Sequence, residues 1–235
     1  MLDLAYPPQA LDGGPRPLSH GLSAEAWAKI RFIAEPLCDG CGSPFEYAYA
    51  DRCAACMARP RAFARARSAV IYDEASRDLI LQFKHADRLD LAPLFCSWIS
   101  RAAGDLLAEA DAVAPVPLHP LRLLKRRYNQ AAEIARPLAR RHGLAYLPDA
   151  LVRHRATESQ GGKSGSGRRR NVAGAFAAPK RRRKQVEGRH ILLIDDVLTT
   201  GATAEACAKA LLQAGAAQVS LATLARVREL DPGTI

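Results

Sequence analysis

The segment I-L-L-I-D-D-V-L-T-T-G-A-T, residues 191–203, constrains the fold of this chain more than any other stretch. Its four leading apolar residues do not alternate with polar ones. They describe a strand covered on both faces, as in a parallel sheet flanked by helices. Two adjacent carboxylates, Asp195 and Asp196, follow at the carboxyl end of that strand, where open α/β sheets bind ligands. The next turn offers backbone N–H groups from Thr200, Gly201, Ala202 and Thr203 and runs into a helix N-terminus, a combination suited to a phosphate. Gly201 permits close backbone approach, and Thr199, Thr200 and Thr203 add hydroxyl donors. Asp195 and Asp196 can accept hydrogen bonds from two vicinal sugar hydroxyls, so phosphate and diol would be held side by side, as in a 5-phosphoribosyl group.

Two other uses of these residues fit less well. A Walker B reading would make Gly162-Lys163-Ser164 the end of a phosphate loop, but that pattern needs glycine where Thr157 stands, and no strand precedes it. A plain core strand followed by a capped helix leaves two adjacent acids buried without a reason.

The rest of the chain agrees with an α/β architecture. From Arg67 onward, short apolar strands expected at 69–72, 112–116, 175–177, 191–194 and 219–224 alternate with helices expected at 76–83, 91–107, 129–142 and 203–214. Residues 153–171 are rich in Gly, Ser and Arg and follow neither period, which predicts a long mobile loop. At 235 residues, the chain has room for one such domain over 61–235 and a small N-terminal appendage.

That appendage carries a second strong signal. Cys38-x2-Cys41 and Cys53-x2-Cys56, eleven residues apart, offer four thiolates in two tight turns and predict a closed, structural Zn²⁺ site over 38–60. A redox dithiol or a pair of disulfides is the competing reading. It is disfavoured because the N-terminus lacks a secretory pattern and no apolar run reaches about eighteen residues, which together predict a cytoplasmic protein. Cys96 and Cys207 sit among apolar residues and read as buried small hydrophobes. Before the first knuckle, residues 23–33 form a helical pattern with Ser23 as N-cap and Leu22, Trp27, Ile30 and Ile33 at apolar spacings.

The formal net charge of +10 favours a polyanionic partner: a phosphorylated small molecule, nucleic acid or an acidic protein surface. Arg126, Arg127, Arg168, Arg169 and Arg170 are the nucleic-acid candidates, while residues 180–184 are a further basic run of unassigned purpose. Aromatic residues make up only 6% of the chain, which argues against base-stacking readout of sequence.

Several segments together resemble one family. The string at 191–203 resembles the phosphoribosyl-pyrophosphate signature of type I phosphoribosyltransferases. I-Y-D-x-x-S-R-D-L-I-L-x-F-K from Ile71, P-V-P-L-H-P-L-R from Pro115, R-R-Y-N-Q-A from Arg126 and T-x-S-Q-G-G followed by R-R-R-N-V-A-G-A-F resemble the ComF family of competence-associated proteins. The resemblance implies a zinc ribbon fused to a type I phosphoribosyltransferase-like fold, phosphoribosyl pyrophosphate as ligand, and Mg²⁺ with its diphosphate. It further implies a role in DNA uptake during natural transformation, with single-stranded DNA and a translocation motor at the inner face of the membrane as candidate partners. Family members often carry two successive ribbons. Here the first would place Ala10, Gly13, Ser23 and Ala26 at its ligand positions, so residues 1–37 should hold no metal, whether they keep a ribbon shape or only dock a helix.

The same resemblance makes Asp195, Asp196 and Lys84 the catalytic candidates. Lys84, Pro117, Leu118, His119 and Arg122 are candidates for the diphosphate end, each with a duller alternative as a surface charge or turn residue. Some purine-specific relatives place Asp where this chain has Thr199, which cannot readily take a proton from a base; purine salvage by that route is disfavoured.

Overall fold

The computed structural model describes residues 10–14, 21–47, 50–85, 88–155, 172 and 174–228. In chain order its helices are α1 (Ala24–Lys29), α2 (Ala54–Ala58), α3 (Glu74–His85), α4 (Ala92–Ala102), α5 (Gly104–Glu109), α6 (Pro120–Arg126), α7 (Gln130–His142), α8 (Arg183–Val186) and α9 (Ala202–Gln213). Its strands are β1 (Ala66–Ile71), β2 (Ala112–Pro115), β3 (Ala145–Tyr146), β4 (Val152–Arg153), β5 (Phe176–Ala177), β6 (His190–Leu198) and β7 (Gln218–Arg226). Five of them form one sheet in the order β1-β7-β6-β2-β3, parallel throughout. The remaining two, β4 and β5, pair antiparallel in a separate small sheet.

The uninterrupted apolar run of β6 is explained by its two covered faces. Leu192 and Ile194 join one cluster with Phe83, Phe95, Ile99, Leu106, Ile134 and Leu138, from α3, α4, α5 and α7. Ile191 and Leu193 join the other with Cys207, Ala208 and Leu211 of α9. Successive residues thus face opposite ways, the period-2 rule of a strand, and both directions lead into core. Cys96 and Cys207 are buried in these clusters, on α4 and α9.

Three expectations need correction. The helix expected over 91–107 is two helices, because Ala103 leaves helical geometry at φ −115° and ψ 27° before Gly104 begins α5. The strand expected at 175–177 does not enter the main sheet but pairs with β4. Residue 153, expected in the loop, lies in β4 and residues 154 and 155 follow it, while the remainder of that expected loop, from 156 to 171, falls outside the described residues.

The N-terminal segment docks on the sheet edge and on α4. Arg31 and Ile33 exchange backbone hydrogen bonds with Ile71 and Ala69 (2.9 Å each), so the chain covers the outer edge of β1. α1 is shorter than expected, but Ser23 does cap it, its hydroxyl accepting the Ala26 N–H at 3.1 Å. Trp27 is not buried at 40% exposure, yet its ring meets Phe32 and Trp98 at centroid distances of 5.1 and 6.0 Å. The turn at 10–13 closes with Gly13 N–H on the Ala10 carbonyl at 3.0 Å. Asp12 then accepts both the N–H and the hydroxyl of Ser23, at 2.6 and 2.7 Å, and so ties that turn to the helix start.

Candidate functional site

The acid pair lies within β6, whose pairing with β7 continues past it to Leu198. Strand alternation sends the two carboxylates to opposite sides. Asp196 faces α3, where Lys84 Nζ meets its Oδ2 at 2.9 Å. Asp195 faces the α9 side, where its charge acts on buried Cys207 and on Arg153 of β4. A ligand touching both carboxylates must therefore reach over the edge of β6 where its pairing with β2 has ended.

Burial pushes the Asp195 carboxyl up to about 7, and the neighbouring Asp196 carboxylate adds to this. The Asp196 N–H, donated to Asp195 Oδ1 at 2.9 Å, and the charges of Lys84 and Arg153 oppose the rise without cancelling it. An acid pair of this kind inside a strand is a cost to the fold rather than a stabilising feature.

The turn beyond it ends at Gly201, in the left-handed region at φ 78°, and α9 begins at Ala202 with no side-chain cap. The first N–H groups of α9 have no intrahelical acceptor. Thr200 Oγ1 is buried with no hydrogen-bond partner among the described residues. Thr199 is exposed, and Thr203 is half-buried in the first turn of α9.

A second wall comes from the carboxyl end of β2. Val116 donates its N–H to the Ile194 carbonyl at 2.9 Å, so Pro117, Leu118 and His119 leave the sheet beside the acid pair. His119 caps α6, its Nδ1 accepting the Leu121 N–H at 3.3 Å. After α6, Arg127 adopts φ 64°, an uncommon conformation for a non-glycine residue and one that clusters at functional sites. Tyr128 then donates its hydroxyl to the Phe83 carbonyl at 2.5 Å, and Asn129 Nδ2 donates to the Val116 carbonyl at 3.0 Å. Gln130 Nε2 reaches the Lys84 carbonyl at 3.4 Å while its Oε1 accepts Arg126 Nη1 at 3.1 Å. Lys84 is thus fixed from below by the segment after α6 and from its tip by Asp196.

The structure brings together Asp195, Asp196, Lys84, the 199–203 turn and the segment from Pro117 to His119. Arg122 stands near Arg153, whose positive charge it opposes. Arg126 and Arg127 close α6, and Arg168, Arg169 and Arg170 lie outside the described residues. Three residues escaped sequence reasoning. Arg153 is buried on β4 with its guanidinium 5.3 Å from the Phe176 ring centroid. Arg61 and Glu205 are the other two, and they meet under the turn. Arg61 Nη1 donates to the Thr200 carbonyl at 3.0 Å and to Glu205 Oε1 at 2.8 Å.

The four cysteines converge, with their sulfurs all within 4.8 Å of one another. Cys41 and Cys53 Sγ are 3.7 Å apart, close to the roughly 3.8 Å edge of a tetrahedron with Zn–S bonds near 2.3 Å. Cys38 Sγ accepts the N–H groups of Cys41 and Cys53 at 3.5 and 3.2 Å. Burial raises the Cys38 thiol, but these donors outweigh it and bring its pKa down to about 7, whereas burial chiefly raises the Cys41 and Cys56 thiols, so the charge of the metal itself is what would deprotonate those two. The donor set fits Zn²⁺ without an open position. Arg226 Nη1 bonds the Cys41 carbonyl at 2.6 Å and Arg67 Nη2 meets Asp39 Oδ1 at 3.1 Å, anchoring the module to β7 and β1.

Residues 123–231 match the phosphoribosyl transferase domain family. The chain is similar to the DNA utilization protein YhgH of Escherichia coli (strain K12), at 30% identity over 90% of this chain and 93% of that protein. It is also similar to Competence protein F of Haemophilus influenzae, at 30% identity over 81% and 85% of the two chains. Among solved structures, a glutamine phosphoribosylpyrophosphate amidotransferase from B. subtilis, complexed with ADP and GMP, aligns at 25% identity with a TM-score of 0.34. That alignment covers 51% of this chain and 24% of the amidotransferase, so the chain spans about a quarter of its length.

Proposed function

Because this chain belongs to the ComF family, with a phosphoribosyltransferase-like fold behind a four-cysteine module, we propose that it binds phosphoribosyl pyrophosphate across the carboxyl end of β6. One observation carries the reading: the buried Thr200 hydroxyl, unpartnered within the described protein, sits between an acid pair and an uncapped helix N-terminus. The 5-phosphate takes the N–H groups of Thr200 to Thr203 and the free hydroxyl, which offsets the cost of leaving those donors unbonded. The ribose diol donates to Asp195 and Asp196. Such donors also favour the charged form of the Asp195 carboxyl, which burial, and secondly the Asp196 charge, hold high.

The diphosphate then points toward Lys84 and the segment from Pro117 to His119, with Arg122 beyond. Mg²⁺, implied by the family resemblance, would supply charge neutralisation on the diphosphate. The chain's own part is positioning and electrostatics: Lys84 presents an ammonium to the departing diphosphate while the acid pair fixes the sugar. In this reading the protein transfers the phosphoribosyl group to an acceptor and serves DNA uptake in transformation.

One observation favours a second reading. The exposed turn position is Thr199, a poor proton acceptor, so the pocket can hold the ligand without driving transfer. The protein is then a ligand sensor whose basic residues Arg126, Arg127 and Arg168 to Arg170 engage single-stranded DNA or a motor.

Isothermal calorimetry with phosphoribosyl pyrophosphate, with and without Mg²⁺, tests the shared premise. Wild type is expected to bind and Asp195→Ala/Asp196→Ala to fail, whereas equal behaviour of the two refutes the site. A pyrophosphate-release screen over acceptors separates the readings: an acceptor-dependent signal above the double variant makes the protein an enzyme, and its absence with binding retained makes it a sensor.

A further inference from the structure

The turn proposed to hold the phosphate is not supported only by its own strand and helix. The segment leaving the four-cysteine module passes directly beneath it. Arg61 Nη1 bonds the Thr200 carbonyl at 3.0 Å and Glu205 Oε1 at 2.8 Å, while Arg59 Nη2 meets Glu205 Oε2 at 2.6 Å. Glu205 is 5% exposed, on the first turn of α9, so its charge is tolerable only because two guanidiniums meet it. Arg61 is well enclosed, unlike Arg59, whose side chain is about half exposed. Arg59 is the C-cap of α2, the helix that carries Cys56, and its N–H bonds the Ala55 carbonyl at 3.2 Å, so the helix of the last cysteine runs directly into the two arginines that meet Glu205. The approach is close enough that a Cβ added at Gly201 would lie 3.3 Å from Arg61 Nη1.

A carbonyl that accepts from a guanidinium below fixes the peptide plane of Thr200–Gly201, and with it the direction of the N–H groups that face a ligand above. We propose that Arg61 is a positioning residue for the ligand turn, linking it through Glu205, Arg59 and the end of α2 to the four-cysteine module, so that the state of the module is expressed as affinity at the phosphate site. The affinity part rests on the phosphoribosyl pyrophosphate reading above; the ordering of the turn does not. Arg61 touches no ligand and acts through the backbone it holds.

The test uses the full zinc-loaded chain. Amide hydrogen exchange of a peptide covering residues 198–204 is measured without ligand in wild type, Arg61→Ala and Arg61→Lys, before and after zinc chelation. Affinity for phosphoribosyl pyrophosphate is measured on the same proteins by calorimetry. Arg61→Ala is expected to speed exchange in this peptide selectively and to weaken binding by about tenfold. Arg61→Lys, which keeps a charge for Glu205 and one donor for the carbonyl, should recover most of both. Chelation should speed exchange of the peptide in wild type and add little in Arg61→Ala, because the link is already cut. Should Arg61→Ala misfold, Arg61→Gln with Glu205→Gln removes the charged pair together, and the same loss of turn protection is expected. Unchanged exchange and affinity in the folded variants would overturn the proposal. If wild type binds no phosphoribosyl pyrophosphate, the ligand reading fails by itself, and the ligand-free exchange still decides the role of Arg61.

Discussion

Replacing Asp195 by Asn should make the ligand-free protein more stable at alkaline pH while abolishing the binding proposed for the site. The Asp195 carboxyl is raised from an ordinary value near 3.8 to about 7, chiefly by burial and then by Asp196. Between these values the native state holds a proton that the unfolded chain has released, so this group's stabilising contribution is full below about pH 4 and is lost as pH rises through 7. The gap of about 3, at 1.36 kcal/mol per unit, sets a ceiling of about 4 kcal/mol. The residue keeps some solvent contact, and an effective dielectric above the dry-interior value brings the expected effect to about 2 kcal/mol. Asn keeps the oxygen that accepts the Asp196 N–H but carries no charge to desolvate. Urea unfolding of wild type and Asp195→Asn at pH 5 and pH 8 reads this out. Because pH 5 already lies above the unfolded value, the variant should gain about 1 kcal/mol of this on wild type between the two conditions, and any effect of pH on the cysteine module cancels in the difference. A stability difference between the two proteins that is the same at both pH values would show that Asp195 is an ordinary carboxylate and remove the physical basis for a strained acid pair.

Three further outcomes follow from the geometry. Gly201→Ala should cost about 1 to 2 kcal/mol by thermal denaturation, since φ is 78° and the new methyl meets Arg61, and it should weaken phosphoribosyl pyrophosphate binding; an unchanged affinity would count against a phosphate role for the turn. One zinc per chain is expected by native mass spectrometry, and Cys53→Ser should lower zinc affinity more than about 100-fold in a competition with a chelator; a variant retaining full affinity would exclude a four-thiolate site. Tyr128→Phe removes the hydroxyl that holds the Phe83 carbonyl and should cost about 1 kcal/mol in urea unfolding while weakening ligand binding through Lys84; a stability loss with unaltered binding would limit Tyr128 to packing.

What could be read from the sequence was whatever local pattern decides. The apolar run of residues 191–194 announces a strand covered on both faces, and the structure places its successive residues in two different clusters. The spacing of the four cysteines announces their convergence, because each C-x-x-C turn presents both thiols to one point. The rest depended on partners far away in the chain. Arg61 and Glu205 are 144 residues apart, and nothing near either of them marks an inward-facing arginine. Arg153 read as part of a loop because its strand is two residues long and gains its partner only at Phe176, across the intervening segment. The break at Ala103 was invisible because both flanking helices continue the same apolar period into one core.

The acid pair explains why so much of the surrounding architecture is cationic and buried. Burial and the adjacent Asp196 charge raise the Asp195 carboxyl, and neither acid contributes to the apolar clusters that hold the sheet. The fold answers with Lys84 on one face and Arg153 on the other, drawn from α3 and from the separate β4–β5 sheet. Both cations have a cost of their own: burial pushes the Arg153 guanidinium down, and Tyr128 and Gln130 are committed to the backbone around Lys84. A chain selected only for stability would replace such an assembly by apolar side chains, which commonly stabilises when done cleanly. The ligand proposed above would bring hydroxyl donors to the acids and phosphate oxygens toward the cationic side of the set, and a 5-phosphoribosyl diphosphate carries both kinds of group on one small molecule.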